Sequence, residues 1–142
     1  MRALLDVNVL IALLDSDHSL HDRAMEWIAE HGAGGWASCP LTQNGCIRIM
    51  SHSNYPNAPS LQTVMARLSE ATADPVHEFW PDDVSLLDSR VADPTRVHGP
   101  RQITDIYLLA LAVRHGGRLV TFDGSIAREA VRGAESRHLL QL

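Results

Sequence analysis

Lysine is absent from this chain: all twelve basic residues among its 142 positions are arginine. That absence excludes several mechanisms. Receiver domains and haloacid-dehalogenase-like phosphatases set a lysine beside their acidic pocket, and the GxxxxGK signature of P-loop nucleotide hydrolases does not occur. Asp6-Val7-Asn8-Val9 is superficially like the DxDx loop of those phosphatases, but position 8 is Asn. Cysteine is scarce too. Cys39 and Cys46 lie seven positions apart in a predicted helix, about two turns from each other, too far for a disulfide, so both are expected as reduced core residues. Long hydrophobic runs are missing: the longest, Ile106 to Val113, is far short of the about 20 residues that span a bilayer. The apolar stretch after Arg2 is broken by Asp6 and Asn8 with no small-residue cleavage site behind it, so no signal peptide and no membrane segment are expected, and a cytoplasmic protein is. The eight His show no compact ligand spacing beyond His18 and His21, which argues against zinc.

An excess of positive charge is also lacking. The formal net charge of −5 has the wrong sign for a protein that binds nucleic acid over its whole surface. The distribution is uneven, however: between Arg90 and Arg137 eight Arg stand against five acids.

What is present fits one compact domain over residues 1–142, large enough to bury roughly 70% of its unfolded surface. Leu4 and Leu5 form a short strand, and VNVLIALLD continues as a helix that Asp6 can cap. His21 to His31 reads as an amphipathic helix ended by GAGG. The strand GWAS leads into a helix with Pro40 in its first turn. A further helix starts at Ser60, and a third strand follows around His77 to Trp80. PDDVSLL reads as a short helix capped by Asp82 or Asp83, Gln102 to His115 as a buried helix, and RLVTF as a fourth strand. SIAREAV reads as a short helix before a terminal strand around His138 to Leu140. Strands alternating with helices, without hairpin signals, predict an α/β fold: a three-layer α/β/α sandwich around a central parallel sheet. Trp27, Trp36 and Trp80 all fall on its core elements.

Three acids recur where an apolar run meets a helix or a turn: Asp6 in ALLDVNVLIALL, Asp105 in QITDIYLLALAV and Asp123 in RLVTFDGS. Asp6 and Asp123 directly follow strands, so in a parallel sheet they share one rim, and Asp105 enters a helix that can face it. Two carboxylates about 4 Å apart repel by about 4 kcal/mol at an effective dielectric of about 20. A hard divalent cation such as Mg²⁺ or Mn²⁺ removes that penalty and completes its shell with water and substrate phosphate. Thr104 and Thr121, next to Asp105 and near Asp123, can bond the carboxylates or substrate, and Arg101, four residues before Asp105, can reach substrate phosphate, which makes Thr121 and Arg101 candidate substrate-binding residues.

At these positions the chain resembles a PIN domain of the VapC toxin-ribonuclease type. The resemblance covers LLDVNVLIALLD, WASCPLTQNGCIRIM, FWPDDVSLLD and RQITDIYLLALAVRHGGRLVTFD, in that order. It implies an Mg²⁺- or Mn²⁺-dependent endoribonuclease that cuts structured RNA such as tRNA or rRNA to inhibit translation, a cognate VapB-type antitoxin that blocks the site, and a homodimer. It also assigns roles: Asp6, Asp105 and Asp123 match three metal-binding acids, and Gln43 stands where the pattern has Glu. An amide there can position water but adds no charge, so Gln43→Glu is expected to raise Mg²⁺ affinity or cleavage rate. The competing expectation, motivated by Gln43 and the acidic net charge, is a catalytically weak PIN domain acting as an RNA- or antitoxin-binding module.

Overall fold

Strands packed between two layers of helices must be apolar on both faces, and the three central strands are. β1 (Ala3–Leu5) and β2 (Trp36–Ser38) are buried throughout, as is β4 (Arg118–Thr121) beyond its first residue. β3 (His77–Phe79) and β5 (Leu139–Gln141) are more exposed and form the edges. In the computed structural model, which describes residues 1–142, the order is β3-β2-β1-β4-β5 with every neighbouring pair parallel. Leu4 stands opposite both Ala37 and Leu119.

The two-residue period of a strand divides the interior into two cores. Ala3, Leu5, Trp36 and Val120 face one side. There they meet α1 (Val7–Leu14), α2 (His21–His31), α3 (Pro40–Met50) and α4 (Leu61–Thr72) through Leu10, Trp27, Met50 and Val64. Leu4, Ala37 and Leu119 face the other side, against Ile106, Leu109 and Leu111 of α5 (Ile103–Arg114). Each fully buried Leu contributes roughly 2 kcal/mol. The expected three layers are thus present, all three Trp are buried, and Cys39 and Cys46 are buried and free. No helix is long and apolar enough to cross a membrane.

Local chemistry sets the helix boundaries. Asp6 caps α1, accepting from the Val7 amide at 2.7 Å. Pro40 opens α3, and the Thr42 hydroxyl accepts from the Cys39 amide at 3.0 Å. Ser60 caps α4 through the Thr63 amide at 3.1 Å. Gly45, in mid-helix, permits close approach of α3 to α1: a Cβ there would stand 2.8 Å from a Val7 methyl.

Two expected helices do not form. Residues 81–87 hold no helix. Instead Val84 and Leu86 cover the core on the α5 side, and Asp83 accepts from or pairs with the His115 ring at 3.0 Å rather than capping anything. SIAREAV folds only into a 3₁₀ turn at Arg128–Ala130, with Ile126, Ala127, Ala130 and Val131 all turned into the core. Tertiary packing of consecutive apolar residues overrides helical spacing there.

The chain order dictates where a ligand can sit. From β1 to β3 the chain steps outward one way with α1 to α4 on one face, then returns by way of α5 on the other face to place β4 on the far side of β1. Right-handed crossovers require that change of face when the direction reverses. Beyond the carboxyl ends of β1 and β4 the connections therefore part, leaving a crevice.

Candidate active site

Asp6 follows the last residue of β1 and lies at that crevice, only 6% exposed. Its two carboxylate oxygens have separate partners. One accepts from the Val7 amide at 2.7 Å, the other from the Thr121 hydroxyl at 2.6 Å. Thr121 ends β4 and is fully buried. Its oxygen also accepts from the Asp123 amide at 3.0 Å and from the Asn8 side chain at 3.4 Å. One hydroxyl thereby ties together the ends of β1 and β4 and the first turn of α1. Asp123 is held in a tight Asx turn, accepting from the Ser125 amide at 2.8 Å and the Ser125 hydroxyl at 2.7 Å. Asp105 comes from the first turn of α5, in the opposite layer from α1.

These three aspartates line one cavity of about 470 Å³, together with Asn8, Thr104 and, from α3, Leu41, Asn44, Gly45 and Arg48. The charges feel one another. Burial, then the neighbouring Asp6 and Asp123 charges, push the Asp105 carboxyl up to about 6. Burial also raises Asp6, with Asp123 adding to the rise, although the bonds from Thr121 and Val7 pull it back. Asp123 itself is lowered by its two bonds from Ser125. Three carboxylates, of which Asp105 is disfavoured by the charges of the other two, form an oxygen donor set suited to a hard divalent cation.

No three His, Cys, Asp or Glu side chains converge at metal-coordinating distance anywhere in the chain. The shared cavity wall, with the Asp6 and Asp123 charges acting on Asp105, makes the three aspartates neighbours, but their side chains do not close around one point. A cation there would draw only part of its shell from protein, as Mg²⁺ commonly does, and the rest from water or a phosphate. The donor set fits such an ion.

Other expected site residues lie elsewhere. Gln43 does not line the carboxylate cavity: its amide nitrogen donates to the fully buried Ser38 hydroxyl at 2.9 Å, which in turn bonds the His77 ring at 2.8 Å. Position 43 faces the β2–β3 side of the rim, and the α3 face turned to the cavity is one residue further round the helix, at Asn44. Thr121 cannot touch a substrate because it is fully buried; it holds Asp6 instead. Arg101 is exposed, outside the cavity wall, in a 3₁₀ turn just before α5. The side chains that sequence reading missed are Asn8, Asn44 and Arg48. The last two were visible in principle, because an i,i+4 pair of polar residues shares one helix face with Leu41.

Comparison with known proteins follows the same lines. Residues 3–131 match the PIN domain family. The chain is 56% identical to Ribonuclease VapC44 of Mycobacterium tuberculosis over 142 residues, the whole of both proteins. It is 42% identical to Ribonuclease VapC39 of the same species over 134 residues, 94% of this chain and 96% of that one. Among solved structures, the fold is similar to that of Mycobacterium tuberculosis VapC20, described as a Sarcin-Ricin loop cleaving toxin. The TM-score is 0.59 at 13% identity, covering 87% of this chain and 91% of that one. It is also similar to a chain of VapBC2 from Rickettsia felis bound to a promoter DNA fragment, with a TM-score of 0.57 at 12% identity, covering 88% of this chain and 90% of that one.

Proposed function

The chain belongs to the PIN-domain family, in its VapC branch, and on that premise we propose that it is a divalent-metal-dependent endoribonuclease, the toxin of a VapBC pair. The observation that carries the reading is the meeting of Asp6, Asp105 and Asp123 in one cavity at the point where the sheet order reverses. The substrate class is structured RNA, tRNA or rRNA, and the partner a VapB-type antitoxin. The whole of residues 1–142 acts as a single cytoplasmic domain.

Asp6, Asp105 and Asp123 would hold the cation, Mg²⁺ or Mn²⁺. When bound, such an ion polarises a phosphoryl oxygen and lowers the pKa of water near it. Everything else falls to the chain. Thr121 fixes one Asp6 oxygen at 2.6 Å, and the Val7 amide fixes the other, so the carboxylate cannot swing away from the crevice. Ser125 does the same for Asp123. Asp105, raised to about 6 by burial and by the Asp6 and Asp123 charges, is mostly ionised at neutral pH, and a nearby positive charge would relieve that repulsion and keep it ionised at lower pH as well. Leu41 and Ile11 narrow the apolar side of the cavity and limit water around a bound phosphodiester.

Incubation of antitoxin-free protein with total tRNA and rRNA in Mg²⁺, Mn²⁺ or EDTA tests this reading. Metal-dependent cuts that disappear in Asp6→Asn and Asp105→Asn are expected. Intact RNA with retained binding would refute nuclease action and leave the binding-module alternative. The metal also has a readout without RNA: saturation at 100 times Kd stabilises a fold by about 2.7 kcal/mol, so divalent ions should raise the melting temperature of the wild type and not of Asp6→Asn.

A further inference from the structure

Arg48 is the one cationic side chain in the wall of the carboxylate cavity, and none of the six ion pairs in the chain involves it. It is exposed, on the outer turn of α3, and its guanidinium keeps the full fork of donors that matches a phosphate. Arg48 also lines two further grooves. One, of about 330 Å³, runs past Ile49, His52 and Tyr55. The other, of about 480 Å³, passes Asn44, His52 and Leu61. Three hollows thus share a single arginine, and His52 belongs to both of the outer ones.

We propose that these grooves form a track for the RNA strand flanking the scissile phosphate, with Arg48 gripping the adjacent phosphate and the exposed face around His52 receiving a base. The proposal rests on the ribonuclease reading above and extends it to the way the substrate is held. Two considerations favour a polyanion over a second protein surface. The grooves are continuous with the carboxylate cavity through Arg48, Asn44 and Ile49, so a strand leaving that cavity enters them directly. With a net charge of −5 the chain repels nucleic acid at long range, and the unpaired Arg48 guanidinium, the one cation in the cavity wall, is the group there that can contact a phosphate directly. The His52 ring is held by a bond in which its Nδ1 accepts from the Asn54 amide at 3.0 Å, so in the neutral ring Nε2 is the donor. Ile49, 41% exposed, supplies an apolar floor for an unstacked base.

The test compares Arg48→Ala, Arg48→Lys and His52→Ala in an Asp105→Asn background, by anisotropy of a short fluorescein-labelled single-stranded RNA across a salt series. Arg48→Ala should weaken binding about tenfold and reduce the slope of log K against log salt by about 0.7, the signature of one lost phosphate contact. Arg48→Lys should restore the slope but only part of the affinity, and His52→Ala should weaken binding about threefold with the slope unchanged. In the otherwise wild-type chain, Arg48→Ala should keep the divalent-ion shift in melting temperature. Equal affinity and slope in Arg48→Ala, in a chain whose wild type cuts RNA, would overturn the track and spare the nuclease. A wild type that neither binds nor cuts RNA would overturn both. A change of sedimentation coefficient in Arg48→Ala would assign the face to contact between copies instead.

Discussion

Replacing Thr121 by Val keeps the shape of a fully buried side chain and removes its hydroxyl, and with it the bond that holds Asp6 and the acceptor of the Asp123 amide and the Asn8 side chain. The lost interaction is a 2.6 Å hydroxyl–carboxylate bond to a group that is 6% exposed. A hydrogen bond to a charged partner contributes roughly 1.5–3 kcal/mol, and buried Asp6 has little access to water as a replacement. The Asp123 amide, which donates to the same oxygen at 3.0 Å, loses its acceptor as well, for roughly another 1 kcal/mol because that residue is partly solvated. A destabilisation of about 2–4 kcal/mol at neutral pH is therefore expected. With a urea m-value of about 2 kcal/mol/M, the unfolding midpoint should fall by about 1–2 M. The loss should shrink in acid, since the Thr121 bond lowers the Asp6 pKa and its removal lets the carboxyl protonate more easily. Urea melts at neutral pH and near pH 4 measure both numbers, and titration with Mn²⁺ should show weaker binding by the freed carboxylate. A midpoint within about 0.2 M of wild type at neutral pH would refute the view that Thr121 holds Asp6 in place.

Three further outcomes are expected. Asp6 and Asp105 both have folded pKa values above the ordinary carboxylate value, so the folded chain holds protons that the unfolded chain has released; the Asp105 contribution is fullest below about pH 4 and is lost as pH rises through about 6, and Asp6 acts in the same direction. Asp105→Asn should accordingly raise the melting temperature in EDTA at about pH 7.5 and leave it nearly unchanged at about pH 4, as scanning calorimetry would record. Gly45→Ala puts a methyl 2.8 Å from Val7, next to Asp6; thermal melts should show a loss of about 1–3 kcal/mol, with weaker divalent binding as α1 is pushed from α3. Gly117→Ala meets backbone, the Arg2 carbonyl at 2.5 Å, together with the Trp80 ring at 2.7 Å, and should cost about 3 kcal/mol or more without acting on the carboxylate cavity, which lies at the other end of the strands; soluble yield and urea melts read the effect.

Most of the architecture was legible because it depends on periodicity and punctuation. His21 to His31 was bounded to the residue by its apolar face and the glycines after it, and Ser60 and Asp6 announced the helices they cap. The parallel sheet followed from alternation of elements, and with it the shared rim of Asp6 and Asp123. What failed were segments where a local pattern competes with long-range packing. VSLL has helical spacing but forms no helix, with Val84 and Leu86 packed on the α5 side of the core, and SIAREAV gives its apolar residues to the core from a 3₁₀ turn. Within the site, the positions immediately after strands were legible because a strand end fixes direction. Gln43 was not, because one step along a helix rotates a side chain by about 100°, and that step separates the Ser38 side from the cavity wall at Asn44. The hydroxyl of Thr121 could be placed near the acids, but its choice of Asp6 depends on a pairing across 115 positions that no local signal encodes.

That pairing has a consequence for how the protein is born. β1 lies at the middle of the sheet and is made well before its partner β4 emerges, since Ala3 pairs with Arg118. Until then the nascent polypeptide carries Asp6 without Thr121 to hold it and without Asp105 or Asp123 beside it. On the ribonuclease reading proposed above, the carboxylate cavity is complete only once β4 has been made and has paired with β1, so a product cut short before Thr121 should lack the activity.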